Sequence, residues 1–145
     1  YKKLNCDNVI SNDKNEKSNT EYHLEALDFV CKMYIDKRKF DLIDLDPFGS
    51  AYDCFDLAIK MAKKGLVITL GELGHKRFKR LDFVRRYYGI ETLEDFTTDN
   101  LVKHIIKIGE RNKKTLTPIY VKDWRNIARV YFKIEQLKIT EQWEK

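Results

Sequence analysis

The chain has 145 residues, 43% of them hydrophobic and 12% aromatic, which is enough for one core and one domain over residues 1–145. It has no apolar run long enough for a signal peptide or a membrane span. Three widely separated cysteines without a Cys-x-x-Cys pair argue against a disulfide framework and a structural zinc site, and favour the reducing cytoplasm. The net charge of +5 favours an anionic partner and gives modest support to nucleic acid.

The first 35 residues predict short strands and a helix. Residues 1–5 resemble the end of a helix, and residues 9–11 predict a brief strand that ends at Asn12-Asp13. Residues 14–20 are polar and predict a loop, and residues 21–24 predict another strand. A helix through this last segment is the alternative, because one helical face would hold Leu24, Leu27, Cys31 and Tyr34.

The next stretch predicts a buried strand that runs into a functional loop. Residues 40–45 are mostly apolar, and Asp46-Pro47-Phe48-Gly49 should leave the sheet sharply at the carboxyl end of the strand. Open α/β sheets place their ligand crevice at that end. Asp44 and Asp46 should share one face of the strand. The alternative is an ordinary Pro-Gly turn in which the aspartate caps the following helix.

A strand, helix, strand unit follows from the period of the next apolar residues. Residues 51–64 predict an amphipathic helix that ends at Lys63-Lys64-Gly65, and residues 66–70 predict a buried parallel strand. The loop 71–75 should then lie at the same sheet edge as Asp46, and its His75 is expected on the surface or in a hydrogen bond rather than in catalysis.

Residues 76–88 predict a helix with one apolar and one strongly basic face. The apolar face would hold Phe78, Leu81, Val84 and Tyr88. The basic residues are Lys76, Arg77, Lys79, Arg80, Arg85 and Arg86. Because this segment follows a crevice loop, we expect it to contact phosphates, with ordinary solvated surface as the alternative.

The remaining chain predicts a helix and a hairpin. Gly89 should end the basic helix, and Thr98 or Asp99 should cap the next one. Residues 116–121 predict a strand and residues 122–126 a polar connection. In the strand that follows, Val130, Phe132 and Ile134 should face one way, and Arg129, Tyr131, Lys133 and Glu135 the other. Beyond Gln136 the tail is polar, apart from Trp143.

The tetrapeptide Asp46-Pro47-Phe48-Gly49 resembles the (D/N)-P-P-(Y/F) motif of S-adenosylmethionine-dependent amino-methyltransferases, and most of all that of tRNA guanine-N2 dimethyltransferases. This resemblance implies a Rossmann-like α/β sheet, mostly parallel with a carboxyl-terminal antiparallel hairpin. It also implies methyl transfer to an exocyclic amine of a base, most of all guanine N2 in tRNA. Asp46 and the Pro47 carbonyl would accept hydrogen bonds from the amine, and the ring of Phe48 would stack on the extruded base.

The same resemblance implies a cofactor site for S-adenosylmethionine. Asp13 matches the acid that holds the ribose hydroxyls, and Glu25 matches the acid beside the adenine. Asp46 would contribute to the cofactor site as well. No metal is implied, and the sequence gives no indication of an oligomeric state.

One departure from the family concerns its first strand and glycine-rich cofactor loop. Neither has a counterpart here, since no Gly-x-Gly occurs in the sequence. We expect a partial domain without the first strand, either a fragment, a truncated product or a degenerate relative, that binds the cofactor weakly or not at all. Two alternatives therefore stay open: a non-enzymatic nucleic-acid-binding module, and an enzyme that methylates adenine or cytosine amines of DNA.

Overall fold

The computed structural model describes residue 6 and residues 8–137. The helices in this part of the chain are α1 (Ala26–Ile35), α2 (Phe55–Met61), α3 (Gly74–Arg77), α4 (Asp82–Tyr88) and α5 (Thr98–Arg111). The strands are β1 (Phe40–Leu45), β2 (Ala62–Leu70), β3 (Lys114–Trp124) and β4 (Ile127–Gln136). Short 3-10 turns lie at Tyr52–Cys54 and Gly71–Leu73. The helix end expected at residues 1–5 and the tail with Trp143 lie outside the described residues.

The four strands form one sheet in the order β1-β2-β4-β3. β1 and β2 are parallel, and Asp44 pairs with Val67. β4 is antiparallel to both β2 and β3, so the predicted carboxyl-terminal hairpin is confirmed. The carboxyl ends of β1 and β2 and the tip of the hairpin therefore meet at one edge of the sheet, since Leu70 pairs with Ala128.

One hydrophobic cluster joins the helices to the sheet. α5 packs on β3, α2 packs on β2, and α1 packs against α2. On β4 the predicted alternation is confirmed, because Val130, Phe132 and Ile134 are buried. Arg129 and Tyr131 project from the opposite face of β4. None of the helices within residues 8–137 is long and apolar enough to cross a membrane.

The end of the helix before β2 differs from the prediction. α2 ends at Met61, and Lys63-Lys64-Gly65 belongs to β2 instead of ending the helix. The cause is tertiary, because the buried Lys114 donates to the carbonyl oxygens of Lys60 and Ala62 at 3.1 and 2.9 Å and so satisfies the helix end. Pairing with β1 then extends the strand to Ala62.

The strands expected at residues 9–11 and 21–24 are reduced to one contact. Asn12 and Tyr22 form an isolated parallel bridge, and α1 begins only at Ala26. The side chain of Asn12 forms hydrogen bonds with both backbone groups of Leu24: it accepts from the N–H at 2.9 Å and donates to the carbonyl at 3.0 Å. This side-chain pairing replaces the ladder that a longer strand would need.

The predicted basic helix is broken into α3 and α4. Lys79 adopts a left-handed conformation (φ 54°), and the N–H of Arg80 bonds back to the carbonyl of His75 at 3.0 Å. Phe78 is therefore turned out of the core, whereas Val84 and Tyr88 remain buried. Gly89 ends α4 in a left-handed conformation, as predicted.

Two boundaries near the hairpin also shift. Thr97, rather than Thr98 or Asp99, caps α5, because its hydroxyl accepts from the N–H of Asn100 at 3.2 Å. The polar connection expected at residues 122–126 shrinks to a turn at Arg125-Asn126, where Asn126 has a φ of 67°. Cross-strand pairing as far as Trp124 with Ile127 extends β3 beyond its apolar run.

Candidate active site

The motif after β1 presents an acid and a ring to solvent. Leu45 is buried, but the side chain of Asp46 is 67% exposed and Phe48 is 97% exposed. Gly49 has a φ of 87°, a conformation that only glycine adopts readily, and it turns the chain toward the 3-10 turn. A nearly bare phenylalanine beside a carboxylate, at the carboxyl end of a parallel strand, is the geometry of a binding loop.

The loop after β2 is pressed against this motif. A Cβ atom added at Gly71 would lie 2.1 Å from the carbonyl oxygen of Gly49, far inside van der Waals contact. Gly71 therefore allows the two backbones to touch. The loops that follow β1 and β2 are therefore in direct backbone contact at Gly49 and Gly71.

Arg129 organises the acids on the outer sheet face. Its guanidinium forms an ion pair with Asp44 and donates to the Thr69 hydroxyl at 2.8 Å. Its Nη1 also lies 4.0 Å from Oδ2 of Asp46. Burial alone would lower the pKa of Arg129, but hydrogen bonds to Tyr131 and Asp44 outweigh burial and raise it. Arg129 is thus a fixed cation beside the motif.

Sequence reasoning placed Arg129 on the outer face of its strand but gave it no function. The available signal was Asp44, a carboxylate inside an apolar strand that needs a partner when it is partly buried. The partner itself depends on the sheet order, which places β4 next to β2.

Glu72 is a second residue that the sequence analysis did not single out. It is only 1% exposed, and the Tyr88 hydroxyl donates to its Oε2. Burial raises the pKa of the Glu72 carboxyl, and the Tyr88 and Ser50 hydroxyls only partly offset that effect. The signal that could have found it is an acid placed directly after a buried strand at the crevice edge.

The segment after the motif is fixed by a tyrosine and a histidine. The Tyr52 hydroxyl donates to the carbonyl of Tyr87 at 2.9 Å and lies 3.0 Å from Nε2 of His104. Burial lowers the pKa of His104, and the nearby Arg111 and Lys107 lower it further, so the imidazole is held neutral. The Tyr52 hydroxyl has one proton, which it donates to the Tyr87 carbonyl. The Tyr52 oxygen must therefore accept from His104, whose Nε2 carries the proton.

Replacing Glu72 by glutamine should stabilise the protein at neutral and higher pH. In the folded protein the pKa of Glu72 lies above its ordinary value of 4.5, so Glu72 keeps its proton at pH values where the unfolded chain has lost it. The stability that this proton contributes is therefore fully present below pH 4.5. It is lost as pH rises through the folded pKa, by about 1.4 kcal/mol per pH unit over that window. Thermal unfolding of both proteins across pH measures this effect, and parallel curves at every pH would contradict it.

The two acids expected at the cofactor lie on neighbouring segments. Asp13 and Glu25 directly follow Asn12 and Leu24, which the Asn12 side chain ties together. Both acids are exposed; Asp13 Oδ1 accepts from the N–H of Asn15 at 2.9 Å, and Glu25 precedes α1. α1, which follows Glu25, packs beside the 3-10 turn that follows the motif.

The basic residues are divided between three segments. Lys76 and Arg77 lie on α3, Lys79 and Arg80 lie in the following turn, and Arg85-Arg86 lies on α4. Arg85 is engaged by Glu91 in an ion pair of 3.4 Å. His75 stacks on the ring of Phe83 and lies in no group of metal ligands, since residues 8–137 hold no cluster suited to a metal ion.

The parallel β1-α2-β2 unit and the carboxyl-terminal antiparallel hairpin form a Rossmann-like α/β sheet. A family model for N2,N2-dimethylguanosine tRNA methyltransferases matches residues 3–142, and the chain therefore belongs to that family. This confirms the resemblance carried by Asp46-Pro47-Phe48-Gly49.

A solved structure gives the same fold. Trm1 from Pyrococcus horikoshii, in complex with S-adenosyl-L-methionine, superposes with a TM-score of 0.67 at 19% sequence identity. The match covers 97% of this chain and 40% of that chain, so the present chain spans less than half of its relative. A search of curated proteins found no match.

Proposed function

We propose that the protein transfers methyl groups from S-adenosylmethionine to N2 of guanine in tRNA. The observation that carries this proposal is the pair of Asp46 and the 97% exposed Phe48 at the carboxyl end of β1, in a chain of the tRNA methyltransferase family. A folded protein has no packing reason to expose a whole phenylalanine ring beside an acid, whereas an enzyme that holds an extruded base requires both.

The motif residues divide the chemistry between them. Phe48 stacks on the guanine, so the exocyclic amine comes to rest against Asp46 and the Pro47 carbonyl. Hydrogen bonds from the amine to these oxygens orient its lone pair away from them, toward the methyl donor. The methyl group would pass from the sulfonium of the cofactor to N2, which breaks the S–C bond and leaves S-adenosylhomocysteine, while an amine proton would pass to the Asp46 carboxylate and from there to water.

Asp13 and Glu25 fit the cofactor in their chemistry and their placement. Carboxylates accept hydrogen bonds from ribose hydroxyls and from an adenine amine, and both acids are exposed on adjoining segments. Bound S-adenosylmethionine supplies the electrophilic methyl group. Asp46, in the loop after β1, would contribute to the cofactor site as well.

The basic segment is proposed to hold the RNA backbone. Lys76, Arg77, Lys79 and Arg80 make no ion pair within residues 8–137, so their charge is available to phosphates. Arg86 belongs to the same proposed surface, whereas Arg85 contributes less to it because Glu91 neutralises Arg85 in part.

We further propose one domain in the cytoplasm, for two reasons. A single hydrophobic cluster unites the helices and the sheet, which supports one domain. The cysteines Cys6, Cys31 and Cys54 are free, and burial raises the pKa of the Cys54 thiol to about 11, which suits a reducing compartment.

Product analysis tests the proposed activity. The protein is incubated with unmodified tRNA and with labelled S-adenosylmethionine in large excess, because the cofactor affinity is expected to be low, and the digested nucleosides are separated. We expect label in N2-methylguanosine and N2,N2-dimethylguanosine, and none when the target guanine is replaced by adenine. Label in adenine or cytosine amines of a DNA substrate, with unlabelled tRNA, would overturn the proposal in favour of a DNA enzyme.

A further inference from the structure

Phe78 is an exposed ring with two guanidinium groups close to it. It is 63% exposed, although its spacing predicted a place in the core. The Cζ atoms of Arg77 and Arg80 lie 5.6 and 5.4 Å from the centre of its ring. Both distances are within the range of attractive cation–π contact, so the arginines hold the ring without covering it.

The backbone fixes this ring in its outward position. The N–H of Phe78 bonds to the carbonyl of His75 at 3.1 Å, and the N–H of Lys79 bonds to the carbonyl of Lys76 at 3.0 Å. Lys79 adds a left-handed turn, which a lysine adopts only where the surrounding structure imposes it. The ring therefore projects from a hydrogen-bonded turn and not from an irregular loop.

The surroundings of the ring favour an anionic partner. Four cations lie within residues 76–80, and residues 73–81 contain no acid. An uncharged membrane or an apolar peptide would have to strip water from these cations without compensating them. A polyanion whose charges alternate with flat rings satisfies the cations and the phenylalanine together, and single-stranded RNA has that chemistry.

We propose that the Phe78 platform, formed by Arg77, Phe78 and Arg80, stacks an unpaired base of the RNA substrate. This inference rests on the proposed function in so far as RNA is the substrate. The platform follows the loop after β2 in the chain. That loop touches the motif, since a Cβ atom at Gly71 would meet the Gly49 carbonyl oxygen. The enzyme thus holds one base at Phe48 and an unpaired base further along the strand at Phe78.

Binding of short RNA without cofactor tests the platform. Phe78→Ala should lower the affinity for a labelled single-stranded oligoribonucleotide by about 5- to 150-fold, whereas Phe78→Trp should keep it. Affinity for a duplex of the same length should change by no more than about twofold, because its bases are not free to stack. Tyr34→Ala is the matched control, since this α1 ring is 43% exposed and the Lys60 ammonium of α2 lies 6.0 Å from its centre.

Salt dependence separates stacking from charge. Phe78→Ala should leave the log-log salt slope unchanged, whereas Arg80→Gln should reduce it by about 0.7 for a single strand. Unchanged single-strand affinity, or equal losses for single strand and duplex, would overturn the platform even if methyl transfer persists. Absent methyl transfer with an intact Phe78 effect would instead overturn the proposed activity and leave the platform standing.

Discussion

Asp46→Ala should lower the rate of methyl transfer at saturating RNA by about a hundredfold or more, the usual size of an acid-base contribution. The carboxylate matters most as the amine becomes a nucleophile, so RNA affinity should change little. The side chain is 67% exposed, and its only ion pair within the described residues, to Arg129, is 4.0 Å long. Loss of folding therefore does not confound the result.

Phe48→Ala should fail in a different manner. Loss of stacking, worth about 1–3 kcal/mol per base, should weaken RNA binding and also reduce the rate. Phe48→Tyr should retain most activity because the ring face remains, whereas Phe48→Leu should behave like the alanine variant. Single-turnover methyl transfer and RNA titration of each variant separate the two effects.

Asp41→Ala provides the control for these measurements. Asp41 is an exposed acid on β1, near the amino end of the strand and away from the motif. Its removal changes the net charge as Asp46→Ala does, and it should leave the rate unchanged. An Asp46→Ala protein with near-normal turnover would remove Asp46 from the chemistry and reduce the motif to an ordinary Pro-Gly turn; the aspartate does not act as a cap there, since neither the 3-10 turn nor α2 has a side-chain cap.

Local patterns predicted the parts of the fold that local forces determine. The strict alternation in β4 leads directly to a strand with one buried face, and Gly89 ends α4 as a left-handed cap. In each case burial or backbone freedom acts within a few residues, so the sequence alone carries the information. The prediction of a buried strand at residues 40–45 was wrong in part: β1 is a strand, but only Leu45 is buried and Leu42 is 44% exposed, because β1 lies at the edge of the sheet that the described residues form.

Other boundaries were set by contacts from distant parts of the chain. Two lysines and a glycine after Met61 resemble a helix end, but Lys114 from β3 satisfies the carbonyls of α2 and the lysines join a strand. The break at Lys79 has no local signature, because lysine does not favour a left-handed backbone. Tertiary structure overrides propensity at both positions.

The candidate site likewise contains residues that the sequence reveals and residues that only the fold brings together. Asp46, Pro47 and Phe48 form one contiguous motif, and the residue types revealed their chemistry. Arg129 and Glu72 act across the fold, through the β2–β4 pairing and through Tyr88 of α4, and no spacing in the sequence links them to the motif. The platform at Phe78 was hidden because its spacing also fits a buried helical face.

Gly71→Ala should reduce methyl transfer about a hundredfold while it preserves most RNA binding. The new Cβ would lie 2.1 Å from the Gly49 carbonyl oxygen and 3.0 Å from its carbon, so backbone atoms rather than a flexible side chain must move. Relief of that overlap shifts the loop that carries Asp46 by about 1 Å, and a misplacement of this size costs on the order of a hundredfold in rate. Stability should fall by about 1–3 kcal/mol, as for other overpacked sites.

Gly74→Ala is the matched control, three residues away on the same segment. A Cβ atom there meets only the Asn126 carbonyl, at an ordinary 3.9 Å, and Gly74 has helical backbone angles. Its rate and melting temperature should therefore equal those of the parent or rise slightly, because alanine favours the helix. Equal rates for the two alanine variants would mean that the contact between Gly71 and Gly49 does not position Asp46, and that the loop reaches the amine independently of β2.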